Sequence, residues 1–270
     1  MSLTRSLAAA VAAVILSVPL AAQSQVVQPA KAEKATETRT LPLAAGSKLR
    51  VKNVNGFVHV EAWDRAEVQF TGEFKPSSRD EQVKVVIESG KDGLEIRGEY
   101  PKHTGWGFYR GPQCQMTLKV PRQIVPTLES VNGEVTLTGT RGAASLTTVN
   151  GAVHATDLGD SLKATTVNGS ITLTEVRGGL NLQTVNGAIK GSGLDGQGKG
   201  LKASTVNGSI HLQTAGLKGR LKARTINGDI AFNAKGAEQV EVKRRSVTAV
   251  FPGGDEGIDL DTVNGGITLN

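Results

Sequence analysis

The sequence predicts an all-β chain: a β-solenoid, β-helix-like in its winding, of about eight coils behind an N-terminal β region that caps it. Three observations predict this. Glycine is abundant, 33 of 270 residues, while Phe (6), Trp (2) and Tyr (2) are scarce, a balance that suits a β protein with many tight turns. The tripeptide Val/Ile-Asn-Gly recurs, with its Asn at 55, 132, 150, 168, 186, 207, 227 and 264. Apolar residues alternate with period two on both sides of it, the mark of a strand with one buried face.

Taken in order, residues 1–24 read as a secretory signal peptide. Arg5 supplies a positive charge and Leu7 to Leu20 an apolar run. Ala21, Ala22 and Ser24 supply the small residues of a cleavage site after Ala22 or Ser24. The run is shorter than the ~20 apolar residues a membrane span needs. The expected location is therefore the periplasm, the cell surface or the medium. The single Cys, Cys114, has no partner within the chain and is expected to be buried. Residues 25–44 show no apolar period and are expected to form a flexible tether.

Residues 45–125 are expected to be a separate β region that caps the solenoid. Leu49, Val51, Phe57, Val58 and Val60 surround the outlying Asn55-Gly56. Val68 and Phe70 alternate with polar neighbours. Val83, Val85 and Ile87 face Leu94 and Ile96 across Gly90-Lys91-Asp92-Gly93, a hairpin signal. Met116, Leu118 and Val120 make another strand.

Residues 126–270 hold the serial repeats. Six and four positions before Asn stand apolar pairs such as Leu162 and Ala164, or Leu201 and Ala203; two before stands Ser or Thr; three after stands Val or Ile. Each repeat is thus two short strands joined by an Asn-Gly corner. A meander of Asn-Gly hairpins is the alternative, but it need not keep the same polar residue at every corner. Stacked coils would bring Asn132, Asn150, Asn168, Asn186, Asn207, Asn227 and Asn264 into register as a structural amide ladder. The gap from 227 to 264 is filled by placing Arg244 at a lost Asn position. The chain then ends at Asn270 midway through a repeat, which makes its C-terminal edge a candidate for self-association.

The run Val54-Asn55-Gly56-Phe57-Val58-His59-Val60-Glu61-Ala62-Trp63-Asp64, then Leu118-Lys119-Val120-Pro121-Arg122, then serial Asn-Gly-x-Ile/Val units resembles the bacterial "putative adhesin" family. That family is a domain-of-unknown-function group related to exported β-helical envelope proteins. The resemblance implies an exported, β-helical, non-catalytic protein, and it carries no functional residues across.

The chemistry-bearing residues lead to the same reading. Polysaccharide-cleaving β-helices need carboxylates converging on one groove, whereas the outward positions here are mainly Thr, Ser, Lys and Gln. Asp255, Glu256, Asp259 and Asp261 form the densest acidic group and read as a solvated face. His59, His154 and His211 share an outward face without a shared metal, and no cofactor is implied. The alternatives to a non-catalytic binding scaffold are a carbohydrate-active β-helix enzyme and a self-assembling structural module. Two candidate ligand-binding sets remain. Lys218, Arg220, Lys222 and Arg224 alternate along one strand, with Lys202 on the preceding coil, and could meet an anionic polysaccharide. Tyr100, Trp106, Phe108 and Tyr109 gather four aromatics in one glycine-rich loop that could stack on sugars or meet another envelope protein. Nucleic acid is disfavoured by the export signal and by the absence of aromatics interleaved with the basic residues.

Overall fold

The computed structural model describes residues 23–29, 34–77, 81–102, 111–196 and 199–270. The expected signal peptide lies almost wholly outside them. Every element among the described residues is a strand. Eight precede the serial repeats: β1 (Gln23–Val27), β2 (Ala35–Pro42), β3 (Lys48–Lys52), β4 (Val58–Trp63), β5 (Glu67–Lys75), β6 (Lys84–Gly90), β7 (Gly93–Glu99) and β8 (Gln113–Pro121). Ten form five successive coils: β9 (Val125–Glu129), β10 (Val135–Thr138), β11 (Ala144–Thr147), β12 (Val153–Leu158), β13 (Leu162–Thr165), β14 (Ile171–Val176), β15 (Leu180–Asn186), β16 (Ile189–Ser192), β17 (Leu201–Asn207) and β18 (Ile210–Leu212). Six complete the chain: β19 (Gly219–Asn227), β20 (Ile230–Phe232), β21 (Glu238–Lys243), β22 (Ser246–Phe251), β23 (Gly257–Asn264) and β24 (Ile267–Leu269).

These strands make two facing sheets, sheet A of 13 strands and sheet B of 11. Each coil gives one strand to each, and successive coils stack in parallel register, as Leu162 on Leu180 in sheet A and Ile171 on Ile189 in sheet B. The alternation of the sequence explains the layering. Leu162 and Ala164 of β13, and Ile171 and Leu173 of β14, point inward and are at most 2% exposed. A further column comes from Leu158, Val176 and Leu194, each no more than 1% exposed. Asp157 and Glu175 turn the chain toward that column with left-handed φ of 52° and 54°, and Gly139 and Gly193 hold the same place one coil before and one after. One continuous apolar core runs from Val27 to Leu269.

The strand order departs from chain order at both ends. At the first, the coil of β3 and β4 lies between that of β7 and β8 and that of β9 and β10. Asn55 is thus no outlier; it bridges to Asn132 as one more member of the stack. Residues 45–125 contribute two coils to the solenoid itself as well as cap strands, and no break separates them from residue 126. The Gly90–Gly93 hairpin joins β6 and β7 as the sequence predicts.

At the other end the last coil, β23 and β24, is inserted between β17–β18 and β19–β20. Asn270 therefore does not mark an open edge. Its N–H donates to the Leu212 carbonyl, and its own carbonyl accepts from the Thr214 hydroxyl at 2.8 Å. Charge gives a reason for the insertion. On the outer face of sheet A, Asp259 stands between Lys202 and Lys222, and Asp261 between Ser204 and Arg224. Stacking β19 directly on β17 would set Lys202 against Lys222, and like charges directly opposite destabilise a sheet.

Two further expectations are corrected. Arg244 does not occupy a coil corner; it lies at the tip of the antiparallel β21–β22 hairpin, which extends sheet A beyond β19. Nor do the described residues of 25–44 form a tether. β1 pairs with β6 and β2 with β5, both antiparallel. The signal in β2 is alternating Thr, a β-former, rather than an apolar period.

Candidate functional site

The Asn-Gly corners align along one edge of the rod, and each residue of the corner has its own task. Thr at two positions before Asn turns inward. The Thr148, Thr166, Thr184, Thr205, Thr262 and Thr225 hydroxyls each donate, at 2.9–3.0 Å, to a corner Gly carbonyl of the adjacent coil. These hydroxyls are buried, and a buried hydroxyl needs such a partner. At most corners the glycine is required by close approach rather than by turn geometry; Gly56 and Gly265 also have positive φ, of 122° and 157°. A Cβ on Gly151 would collide with the Gly133 carbonyl, and one on Gly169 with that of Gly151.

The Asn side chains form one continuous ladder. Asn132 Nδ2 donates to Asn55 Oδ1, Asn150 to Asn132, Asn168 to Asn150, Asn186 to Asn168, Asn207 to Asn186, Asn264 to Asn207 and Asn227 to Asn264, all at 2.8–2.9 Å. Residue 264 precedes 227 in this series, as the strand order requires. Each amide in the interior of the ladder spends one N–H and one lone pair on its neighbours. One N–H and one lone pair remain for solvent or a ligand.

The residue before each Asn points outward. Val131, Val149, Val167, Val185 and Val206 are 37–40% exposed and Ile226 is 57% exposed. They form an apolar column beside the amide ladder, with one side chain per coil at about 4.8 Å intervals. In the sequence this position reads only as part of the repeat marker. Its signal was nonetheless present, since Val and Ile here are out of phase with the inward alternation.

The ladder is capped at its Asn55 end. Asn53 stands where later coils have Ser or Thr. Its Nδ2 donates to the Gly56 and Cys114 carbonyls, at 3.0 and 2.8 Å. The Tyr100 hydroxyl donates to Asn53 Oδ1 at 2.5 Å and accepts from the Asn55 N–H at 3.1 Å. Burial pushes the Tyr100 phenol well above its ordinary range and the Cys114 thiol up to about 12. Cys114 is fully buried. Tyr100 therefore serves as a structural anchor where the chain leaves β7. Trp106, Phe108 and Tyr109 lie outside the described residues.

The second candidate set fares differently. Arg220, Lys222 and Arg224 share the outer face of β19, with Lys218 just before it, and all four are exposed. The neighbouring strand is β23 rather than the one bearing Lys202. Its Asp259 and Asp261 face these cations in register, and Arg220 pairs with Asp255 at 3.4 Å. The basic and acidic groups of the sequence are thus interleaved in one mixed-charge face. Elsewhere Glu134 lies between His59 and His154, at 3.3 and 3.8 Å from their Nε2 atoms. His211 is three coils from His154. Among the described residues no three His, Cys, Asp or Glu side chains cluster so as to hold a metal ion.

A family model described as Toastrack DUF4097 matches residues 126–270, just over half of the chain. The chain belongs to this family. Stacked slats on a common edge are the shape that the Toastrack coils take here, and the two N-terminal coils continue it beyond the matched region. Among solved structures, a protein described as a "putative adhesin" from Bacteroides fragilis NCTC 9343 is similar at 13% identity with a TM-score of 0.51. The alignment covers 88% of this chain and 99% of that one, and the likeness is one of fold. A "putative cell adhesion protein" from Clostridium sporogenes ATCC 15579 matches at 11% identity and a TM-score of 0.37, covering 88% and 99% of the two chains. A "putative lipid binding protein" from Parabacteroides distasonis ATCC 8503 matches at 13% identity and 0.37, covering 87% and 96%. No curated protein matches the sequence.

Proposed function

We propose that this Toastrack protein is an exported, non-catalytic binding scaffold of the cell envelope that holds an extended surface polysaccharide along its asparagine edge. The observation that carries this reading is the column of exposed Val side chains beside the amide ladder. Valine methyls offer contact to the apolar C–H faces of sugar rings. The spare N–H and C=O of each Asn offer hydrogen bonds to sugar hydroxyls at regular intervals. A straight, periodic edge suits a periodic polymer, and its β-sheet support holds these groups in place before binding. Trp106, Phe108 and Tyr109, which follow Tyr100 in the sequence, would add ring stacking. The adhesion-related names of two structural neighbours agree in kind with such a role.

The test is a glycan array with three proteins: wild type, Val167→Asp/Val185→Asp and Trp106→Ala. Both valines are exposed, so the double variant should fold. Binding by wild type that the double variant loses supports the edge as the site, and a weaker loss in Trp106→Ala assigns the loop a supporting part. Binding unchanged in the double variant, or no glycan bound by wild type, would sink the proposal.

A further inference from the structure

The two ends of the rod are closed differently. At the first, both sheets carry two antiparallel strands beyond the last coil: β6 and β1 on sheet A, β5 and β2 on sheet B. The inward residues there are sealed. Val68, Phe70, Val85, Ile87, Met116 and Leu118 are at most 1% exposed. At the second end sheet A is extended by β22 and β21, but sheet B stops at β20. Ile230 and Phe232 of β20 are only half-buried, although Ile267 and Leu269, beside them on β24, are fully buried. On the overhanging β21, Val242 stands opposite buried Val247 and so faces the inner side of the sheet, yet it is 58% exposed, and Val240 is 44% exposed. Sheet A thus overhangs sheet B by two strands, about 10 Å. The edge of β20 beside the gap is open. Its Asp229 carbonyl and Asn233 N–H bond to β24, and in a parallel ladder the N–H and C=O of the alternate residues, Ile230 and Phe232, point the other way.

We infer that this end is the interface of a two-fold dimer of the chain. Consider a two-fold axis parallel to the strands and midway between the sheets. It reverses the rod and brings sheet A of one copy into line with sheet B of the other. The overhang of each copy then fills the two-strand gap of its partner, as in a half-lap joint. Strand direction agrees. β22 runs antiparallel to β19 and β21 antiparallel to β22, so β21 runs with the coil strands of sheet A and meets the partner's β20 head to tail. The partner's hairpin takes on sheet B the place that β5 and β2 take at the first end. A two-fold perpendicular to the sheets would instead set β21 against β21 and leave both gaps open. The occupant is a second copy because overhang and gap have the same depth on one molecule, which makes the end complementary to itself.

Light scattering on a sizing column, across a dilution series, tests this with wild type, Val242→Lys and Val26→Lys. Val26 is 60% exposed on β1 at the opposite end, and both substitutions fall on exposed side chains. The expected result is a dimer for wild type and Val26→Lys, and a monomer with unchanged circular dichroism for Val242→Lys. Wild type monomeric at every concentration, a dimer that survives Val242→Lys, or one that Val26→Lys also breaks would overturn the inference.

Discussion

Three corner residues on two adjacent coils differ in what their loss should cost, because each acts through a different force. Thr166→Val keeps the shape but removes a buried donor from the Gly151 carbonyl, for about 1 kcal/mol. Asn168→Ala breaks two ladder bonds that lie at the surface, and about 1 kcal/mol is expected for the pair. Gly151→Ala drives a methyl into the backbone of the preceding coil and should cost about 3 kcal/mol. Urea unfolding of the three variants should therefore place Gly151→Ala well below the other two; equal midpoints would contradict the close-approach account. Acid exposes another residue-scale effect. The Arg141 guanidinium, 2.9 Å away, holds the Asp157 carboxyl below its ordinary 3.8. The Ser161 backbone N–H, and then Lys199, do the same for Asp160. A depressed carboxylate stabilises the fold above the unfolded-state value, and that contribution is lost as pH falls through the folded-state value. Stability should be flat above about pH 5 and decline below about pH 4. Asp157→Asn should make the decline shallower by a small amount, since the pair is partly exposed.

At the scale of elements, the corners and coil strands could be read from the sequence because their information is local. An apolar alternation, a Thr, an Asn and a Gly fix one coil whatever lies beside it. Which coil lies beside it is decided by contacts far away in sequence, and that was not legible. Asn55 sits 77 residues before Asn132 yet stacks on it, and the segment around Arg244 carries an alternation that serves a hairpin as well as a coil. The valine column of the site could have been found by asking which apolar positions fall on the outward phase. The inserted β23 gives the sharpest test at this scale. Asp259→Lys would place three cations abreast, with Lys202 and Lys222 on either side. Each opposite-charge pair is worth roughly 0.2–1 kcal/mol, so a loss of about 1–2 kcal/mol is expected in low salt, diminishing as salt is added. A loss insensitive to salt would assign the effect to packing instead. β1 makes a prediction about processing. Cleavage after Ser24 would remove two residues that pair with Glu88 and Ser89, whereas cleavage after Ala22 leaves β1 whole. On the proposal that the chain is exported, N-terminal sequencing of the processed protein should begin at Gln23.

For the whole molecule, the strand order means that neither end of the stack can be trimmed away in simple succession. Removing residues 257–270 would withdraw a coil from the interior, separating β17–β18 from β19–β20. The expected outcome is loss of cooperative unfolding across residues 201–251, read by hydrogen exchange, rather than a rod one coil shorter. A truncated protein that kept full protection there would count against this. The same insertion has a consequence for timing. In a solenoid stacked in chain order, each finished coil is a platform for the next, and folding can follow synthesis. Here β23 and β24 belong between two coils that precede them in the chain. β19 and β20 have no native coil to stack on until β23 and β24 have emerged. For a chain exported as proposed, that delay is useful, because the step that locks β19 and β20 onto the stack can be taken only after residues 257–270 have been made.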